Sequence, residues 1–311
     1  PNQIKDATGR NVGFDPDNNN IYYQTSTQIA AKYPNWMDNQ VVTDEDSKKG
    51  QTTQITGTVK TYEKVGNFIK SKLPKDAKIL DASSGMGLGT LALRDMGIEV
   101  EDIEPYPGGD RMKTNPPTFY GVDAYEQARR SGKQYDYIIS NAVLNVIPDD
   151  WRQSVLHDMA SLLKVGGQMF INVRKKGEEK NIKNKIELDS PQEVLVGTTE
   201  KIVSYQRFFT PKELADYVKS ELGAAYEVTI ANESNSGTKG LPAVVVTKKY
   251  NAPDTFYQQA ATTLFQEAAP ERDLVAYHNI SEEHLMRSAA LGGLAVPSIA
   301  ITQKGIPFDQ F

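Results

Sequence analysis

The chain has 311 residues, of which 39% are hydrophobic and 24% charged, enough apolar mass for a sizeable core in one large domain with appendages or in two ordinary domains. The net charge is −5, yet residues 51–250 hold 27 Lys+Arg against 26 Asp+Glu and the flanks 8 against 14, so the acidity lies outside the centre and leaves an anionic substrate open there. The absence of cysteine excludes disulfides, thiolate zinc sites and every thiol nucleophile, and no apolar run approaches the roughly 18 residues of a membrane span.

Residues 1–50 are rich in Asn, Asp and Gln, with turn clusters at Asp15–Asn20 and Asp44–Gly50, and are expected to form a loose arm with one short helix near Ser26–Lys32. The sequence starts at Pro1 and stops at Phe311 without a terminal signal, the pattern expected of a segment of a longer polypeptide. From Val59 the apolar residues Tyr62, Val65, Phe68, Ile69 and Leu73 recur at helical spacing until Pro74. Strand-like and helix-like segments then alternate. Strands are predicted at Lys78–Asp81, Glu99–Glu104, Thr118–Val122, Tyr135–Ser140, Gly167–Arg174, Tyr226–Ala231 and Ala243–Lys248. Helices are predicted at Thr90–Met96, Ala124–Arg130, Trp151–Leu163 and Pro211–Leu222. Such alternation predicts an α/β fold with a doubly wound, mostly parallel sheet, whose ligands bind at the carboxyl ends of the strands. Residues 251–311 change character, with helical stretches at Thr255–Ala268 and Ser281–Leu291, and are expected to be a helical C-terminal appendage.

The first strand runs into Asp81-Ala82-Ser83-Ser84-Gly85-Met86-Gly87-Leu88-Gly89-Thr90, a glycine-rich turn opening a helix. Glycine there lets a ligand approach the backbone, and the helix start offers free N–H groups. About twenty residues after the turn the second strand ends on Glu104, the spacing at which an acid accepts hydrogen bonds from a ribose diol. The third ends near Asp123, at the same rim.

In these residues the chain resembles the class I S-adenosylmethionine (SAM)-dependent methyltransferases, whose fold is Rossmann-like. The resemblance implies that Asp81, Ser83, Gly85 and Gly87 hold the methionine end, Glu104 the ribose, and Asp123 with Ala124 the adenine, while Asn141 lines the pocket after strand four. Ser83 stands where the family most often has a glycine. The segment Tyr135–Pro148 followed by Leu162-Leu163-Lys164-Val165-Gly166-Gly167 follows the methyltransferase order rather than that of a dinucleotide-binding dehydrogenase. A finer resemblance, through Gly85–Thr90, Ile103-Glu104-Pro105, Ala142–Ile147, Ile171–Arg174, His278-Asn279-Ile280 and Gly292–Ile301, is to methyltransferase-like domains of phage and mobile-element polyvalent proteins. It implies other polyprotein domains as partners, the host cytoplasm or the virion as location, and DNA modification in an anti-restriction role.

Candidate acceptor residues are Ser140 and Asn141, a polar pair after strand four without the Pro-Pro-aromatic sequence of amino-methylating DNA enzymes. Asn115-Pro116-Pro117-Thr118-Phe119 precedes strand three and reads as a stiffened loop. The run Arg174–Lys185 places six basic and two acidic residues after a strand end, with Arg174, Lys175, Lys176, Lys180 and Lys183 as candidate phosphate contacts for a nucleic acid. Tyr205, Arg207, Phe208 and Phe209 are aromatic-basic residues that either stack a base or belong to the core. His157, His278 and His284 have no partners spaced for a triad or a metal, and no metal is expected. Without a thiol, cytosine-C5 methylation is excluded. A small-molecule or protein methyltransferase, or a silent SAM-binding module, is the alternative.

Overall fold

In a computed structural model, the protein is described at residues 14–15, 20–21, 24–34, 36, 55–107, 111–190 and 192–251. The C-terminal appendage, and all of the N-terminal arm except four short pieces, lie outside these residues. Within the arm, β1 (Phe14–Asp15) pairs antiparallel with β2 (Asn20–Ile21), and helix α1 (Ser26–Lys32) starts at a Thr25/Gln28 capping box. The capping box satisfies two orphan N–H groups of a short helix and fixes where it begins.

Helix α2 (Ile55–Lys72) leads into β3 (Ile79–Ala82), α3 (Leu88–Asp95) and β4 (Val100–Glu104). The four-residue α4 (Arg111–Thr114), β5 (Phe119–Tyr120), α5 (Ala124–Arg130), β6 (Tyr135–Asn141), α6 (Asp149–Ser161) and β7 (Leu163–Asn172) follow. After an insertion come α7 (Pro211–Leu222), β11 (Tyr226–Ile230), the short α8 (Glu233–Ser236) and β12 (Ala243–Lys248). Seven of these strands form one sheet, in the order β11-β12-β7-β6-β3-β4-β5, in which only β12 runs antiparallel to its neighbours. The chain order reverses between β3 and β6, which makes their carboxyl ends the switch point at which open α/β sheets bind ligands.

β3 is buried along its whole length, as expected of a central parallel strand covered on both faces. On one face Leu80, Ile138, Met169 and Ile171 pack with α5, α6 and α7 through Ala128, Leu156 and Val218. On the other Ile79, Tyr137, Ile139 and Phe170 pack with α2 and α3 through Val65, Phe68 and Leu93. Thr210-Pro211 and Glu213 start α7 with a capping box and a proline at its first turn, which explains why its boundary is legible from sequence.

The insertion is a three-stranded antiparallel sheet, β8 (Lys185–Glu187), β9 (Glu193–Gly197) and β10 (Ile202–Arg207), in the order β10-β9-β8. Sequence periodicity does not predict it, since β8 is three residues long and lies at the end of a basic run. Leu188, Leu195, Ile202 and Tyr205 bury against Ile29 and Trp36 of the arm, and Trp36 stacks on Trp151 of α6 with ring centroids 5.5 Å apart. Residues 24–34 and Trp36 are therefore docked rather than loose. Arm and insertion together form a cap beside the segment that follows β6.

Candidate active site

The turn after β3 takes three left-handed residues, Ser83 (φ 58°), Gly85 (φ 57°) and Gly87 (φ 76°), to bring the chain from strand to helix α3. Ser83 adopts this region at the cost of about 1–2 kcal/mol that a glycine avoids, and its hydroxyl meets that of Tyr125 at 2.8 Å. At Gly87 a Cβ would lie 2.7 Å from the Asn115 amide and 3.1 Å from the Arg111 guanidinium carbon, so the close approach there is to the protein's own side chains.

Glu104, ending β4, is 7% exposed, and burial pushes its carboxyl up from its ordinary value against the pull of two backbone bonds. Its Oε2 accepts the Gly85 N–H at 2.5 Å and its Oε1 the Tyr106 N–H at 3.0 Å, so each oxygen keeps a lone pair for another donor. A buried carboxylate with two acceptor positions left suits a diol. Asp123 stands half-buried at the start of α5, where its Oδ1 accepts the Gln127 amide at 2.9 Å. Tyr106 and Val122, both exposed, lie two residues beyond Glu104 and Tyr120, which face each other across β4 and β5, and give this end of the rim apolar walls. Ala124 is fully buried, and its N–H is taken by the Gly121 carbonyl at 2.9 Å.

Asp81 is brought to the turn but not to its open side. It is fully buried, its Oδ1 accepting the Tyr62 hydroxyl at 2.5 Å and its Oδ2 the Thr90 hydroxyl at 2.7 Å. Burial raises its carboxyl from the ordinary 3.8 to about 6. It supports the turn from behind, joining α2 to α3. Tyr62, Tyr125 and Arg111, which complete this backing, are not predicted from sequence. Tyr62 reads as one more apolar position of its helix, and Arg111 falls in an aperiodic, charged stretch.

At the end of β6, Asn141 lies in register with Asn172 of β7, and its Oδ1 accepts the Asn172 amide at 2.7 Å. Ser140, one residue earlier, points to the opposite face of the sheet and is fully buried. Ser140 Oγ on β6, Asn145 Oδ1 in the segment after it and Asn172 Oδ1 on β7 are buried and have no hydrogen bond among the described residues. The sequence-predicted pair is thus split by the pleat, and Asn172 takes the place of Ser140 beside Asn141.

The candidate phosphate contacts are only partly displayed. Lys175, Lys180 and Lys183 are exposed, Lys176 pairs with Glu213 at 3.1 Å and Arg174 is half-buried. Tyr205, Arg207, Phe208 and Phe209 are fully buried, which makes them core and cap interior rather than a stacking platform. Among the described residues no helix is long and apolar enough to cross a membrane, and no group of three or more His, Asp or Glu could hold a metal ion.

A seven-stranded sheet with one antiparallel strand, a glycine turn at the switch point and acids ending the next two strands define a class I methyltransferase-type cofactor-binding fold. The family model described as Methyltransferase domain matches residues 58–220, more than half of the chain, and the protein belongs to this SAM-dependent methyltransferase family. No curated protein matches it. Among solved structures it is similar to Burkholderia thailandensis 1,6-didemethyltoxoflavin-N1-methyltransferase with bound 1,6-didemethyltoxoflavin and S-adenosylhomocysteine, at 14% identity over 71% of this chain and 87% of that one, TM-score 0.43. It is similar also to Streptomyces venezuelae DesVI, at 11% identity over 67% and 99% of the two chains, TM-score 0.45. With the CcbJ methyltransferase from Streptomyces caelestis the identity is 14% over 60% and 94%, TM-score 0.38.

Proposed function

We propose that this methyltransferase acts on a small polar acceptor held between the carboxyl ends of β6 and β7 and the cap. The observation that carries the reading is how the cap is fastened to the segment after β6. The Arg207 N–H donates to the Asn145 carbonyl at 2.7 Å, the Asn145 amide to Gln206 at 3.0 Å, and the Asp149 N–H to the Gln24 carbonyl at 3.2 Å. A cap tied down this closely favours an acceptor of modest size over a duplex.

Bound SAM supplies a methyl group on a cationic sulfur, and transfer is an in-line displacement, so the protein's task is chiefly orientation. Glu104 and Asp123 hold the ribose and adenine ends, and the Ser83–Gly87 turn the methionine end. Asn141, whose amide nitrogen remains available, and Asn172, with an unfilled carbonyl, orient the acceptor.

A nucleic-acid acceptor is the second reading, favoured by the exposed Lys175, Lys180 and Lys183 on the loop after β7. The polyprotein context rests on the sequence resemblance alone, and its segment at His278–Ile301 lies outside the described residues. Labelled SAM offered side by side to a small-molecule extract, DNA, RNA and protein separates the readings. Label in the small-molecule pool is the expected result. Label in DNA or RNA that disappears when Lys175, Lys180 and Lys183 are changed to Gln would establish the second reading instead, and label in no pool would leave a silent SAM-binding module.

A further inference from the structure

We propose that Arg111 is a positioning residue for the cofactor-binding turn: anchored by Asp102, it fixes the backbone at Gly85 without itself touching the cofactor. The inference rests on the assignment of that turn to SAM. Arg111 is 2% exposed although it sits on a four-residue helix in the connection between β4 and β5. Its Nη1 donates to the Gly85 carbonyl, and its Nη2 to Asp102 Oδ2 and, at 2.9 Å, to the Ser84 hydroxyl. Asp102, in the middle of β4, is fully buried and is itself held in place. It accepts the Ser84 hydroxyl at 3.0 Å, the Thr118 N–H at 3.0 Å and the Thr118 hydroxyl at 3.2 Å.

The consequence is specific to one residue of the turn. Gly85 gives its N–H to Glu104 and its carbonyl to Arg111, so the peptide groups on its two sides are gripped by side chains of opposite charge. Both grips are referred to β4, one directly and one through Asp102. With φ at 57° and no side chain of its own, Gly85 has little else to hold this conformation. Turning its carbonyl back onto a guanidinium removes an acceptor from the open side of the turn, which must receive the carboxylate end of an amino acid. A buried ion pair adds little net stability over an apolar replacement, so its value here lies in the geometry it imposes. The same guanidinium, 3.1 Å from where a Cβ of residue 87 would stand, gives Gly87 a reason independent of any ligand.

The test uses the full chain with S-adenosylhomocysteine as probe, its dissociation constant read by calorimetry beside the thermal midpoint. Arg111→Met is expected to weaken binding about tenfold or more, the scale of a lost charge-assisted hydrogen bond. Arg111→Ala should regain affinity on addition of guanidinium ion, whereas Glu104→Ala should not, a rescue that a merely structural role would not produce. If the Met and Ala variants fail to fold, Arg111→Lys decides, since one ammonium cannot span Gly85 and Asp102 as the fork does. Parent-like affinity in a folded variant, or weakened binding that guanidinium leaves untouched, overturns the role of Arg111. A parent chain that binds no S-adenosylhomocysteine overturns the cofactor assignment itself.

Discussion

The two halves of the rim are held by different kinds of contact. At the ends of β3 and β4, charged side chains grip the backbone of residues close by in the sheet: Glu104 takes the N–H groups of Gly85 and Tyr106, and Arg111 the carbonyl of Gly85. At the ends of β6 and β7 Asn141 and Asn172 pair with each other and Asn145 meets Gln206 of the cap, while Asn145 and Asn172 each retain a buried acceptor without a bond among the described residues. The cofactor half is set by a few residues acting on one turn. The half at β6 and β7 depends on the docking of two remote segments, and under the proposed function its unfilled acceptors would receive hydrogen bonds from the substrate.

Removing a charge buried inside the cap, between β9 and β10, should show the largest difference. Arg207 and Glu193 are both fully buried, 3.8 Å apart, and Arg207→Ala takes away the cation that acts most strongly on this carboxylate, leaving it Arg152 and the bonds from Tyr205 and the Gln24 N–H. The expected cost is about 3–5 kcal/mol in urea unfolding, with S-adenosylhomocysteine affinity retained in the folded fraction; a loss of affinity in step with stability would merge the two halves into one unit. Next is the carboxyl behind the turn. Because folding raises Asp81 from 3.8 to about 6, its contribution to stability is fully present below pH 3.8 and is lost as pH rises to 6. Asp81→Asn should therefore flatten the stability profile in that window by up to about 3 kcal/mol, and an unchanged profile would show that the group titrates normally.

Glu104→Ala should weaken S-adenosylhomocysteine binding by about 1–3 kcal/mol with little effect on the cap, and calorimetry giving the parent's affinity would remove the diol assignment. The smallest effect contrasts the two strained residues that end the central strands, Ser83 (φ 58°) and Ala142 (φ 60°). Ala142→Gly relieves strain at no loss of contact and should gain about 0.5–1 kcal/mol after the entropy of an added glycine. Ser83→Gly gives up the bond to Tyr125, worth about 1 kcal/mol, and should come out near zero. Equal gains in thermal denaturation would mean that the Ser83–Tyr125 contact contributes nothing.

Much of the parallel sheet was legible in the sequence, because each of its elements carries a local signal. The bounds of α5, α7 and β12 are those read from periodicity and capping, and β5 is merely shorter than expected. Glu104 and Asp123 were placed at the rim by strand spacing alone. Asp81, which the resemblance assigns to the methionine end, is instead turned inward by the Tyr62 hydroxyl, nineteen residues earlier on a helix face that otherwise reads as apolar. Arg111 left no signal, because its anchor is a strand carboxylate rather than a neighbour in a pattern. The cap was invisible for a similar reason: β8 to β10 are short, and their apolar residues are matched by α1 rather than by one another.

That matching has a consequence for how the molecule assembles. The Gln24 N–H reaches Glu193 at 3.2 Å across 169 residues of sequence, and the Ser26 N–H reaches Asp150 at 3.1 Å across 124. During synthesis α1 leaves the ribosome long before either partner exists, and closing loops of this length is entropically slow compared with forming the βα units between them. Ile29 and Trp36 therefore wait uncovered until the insertion arrives, and the cap is expected to fold late and to open early. Amide exchange should record the same sequence in reverse, with the N–H groups of α1 exchanging well before those of β6.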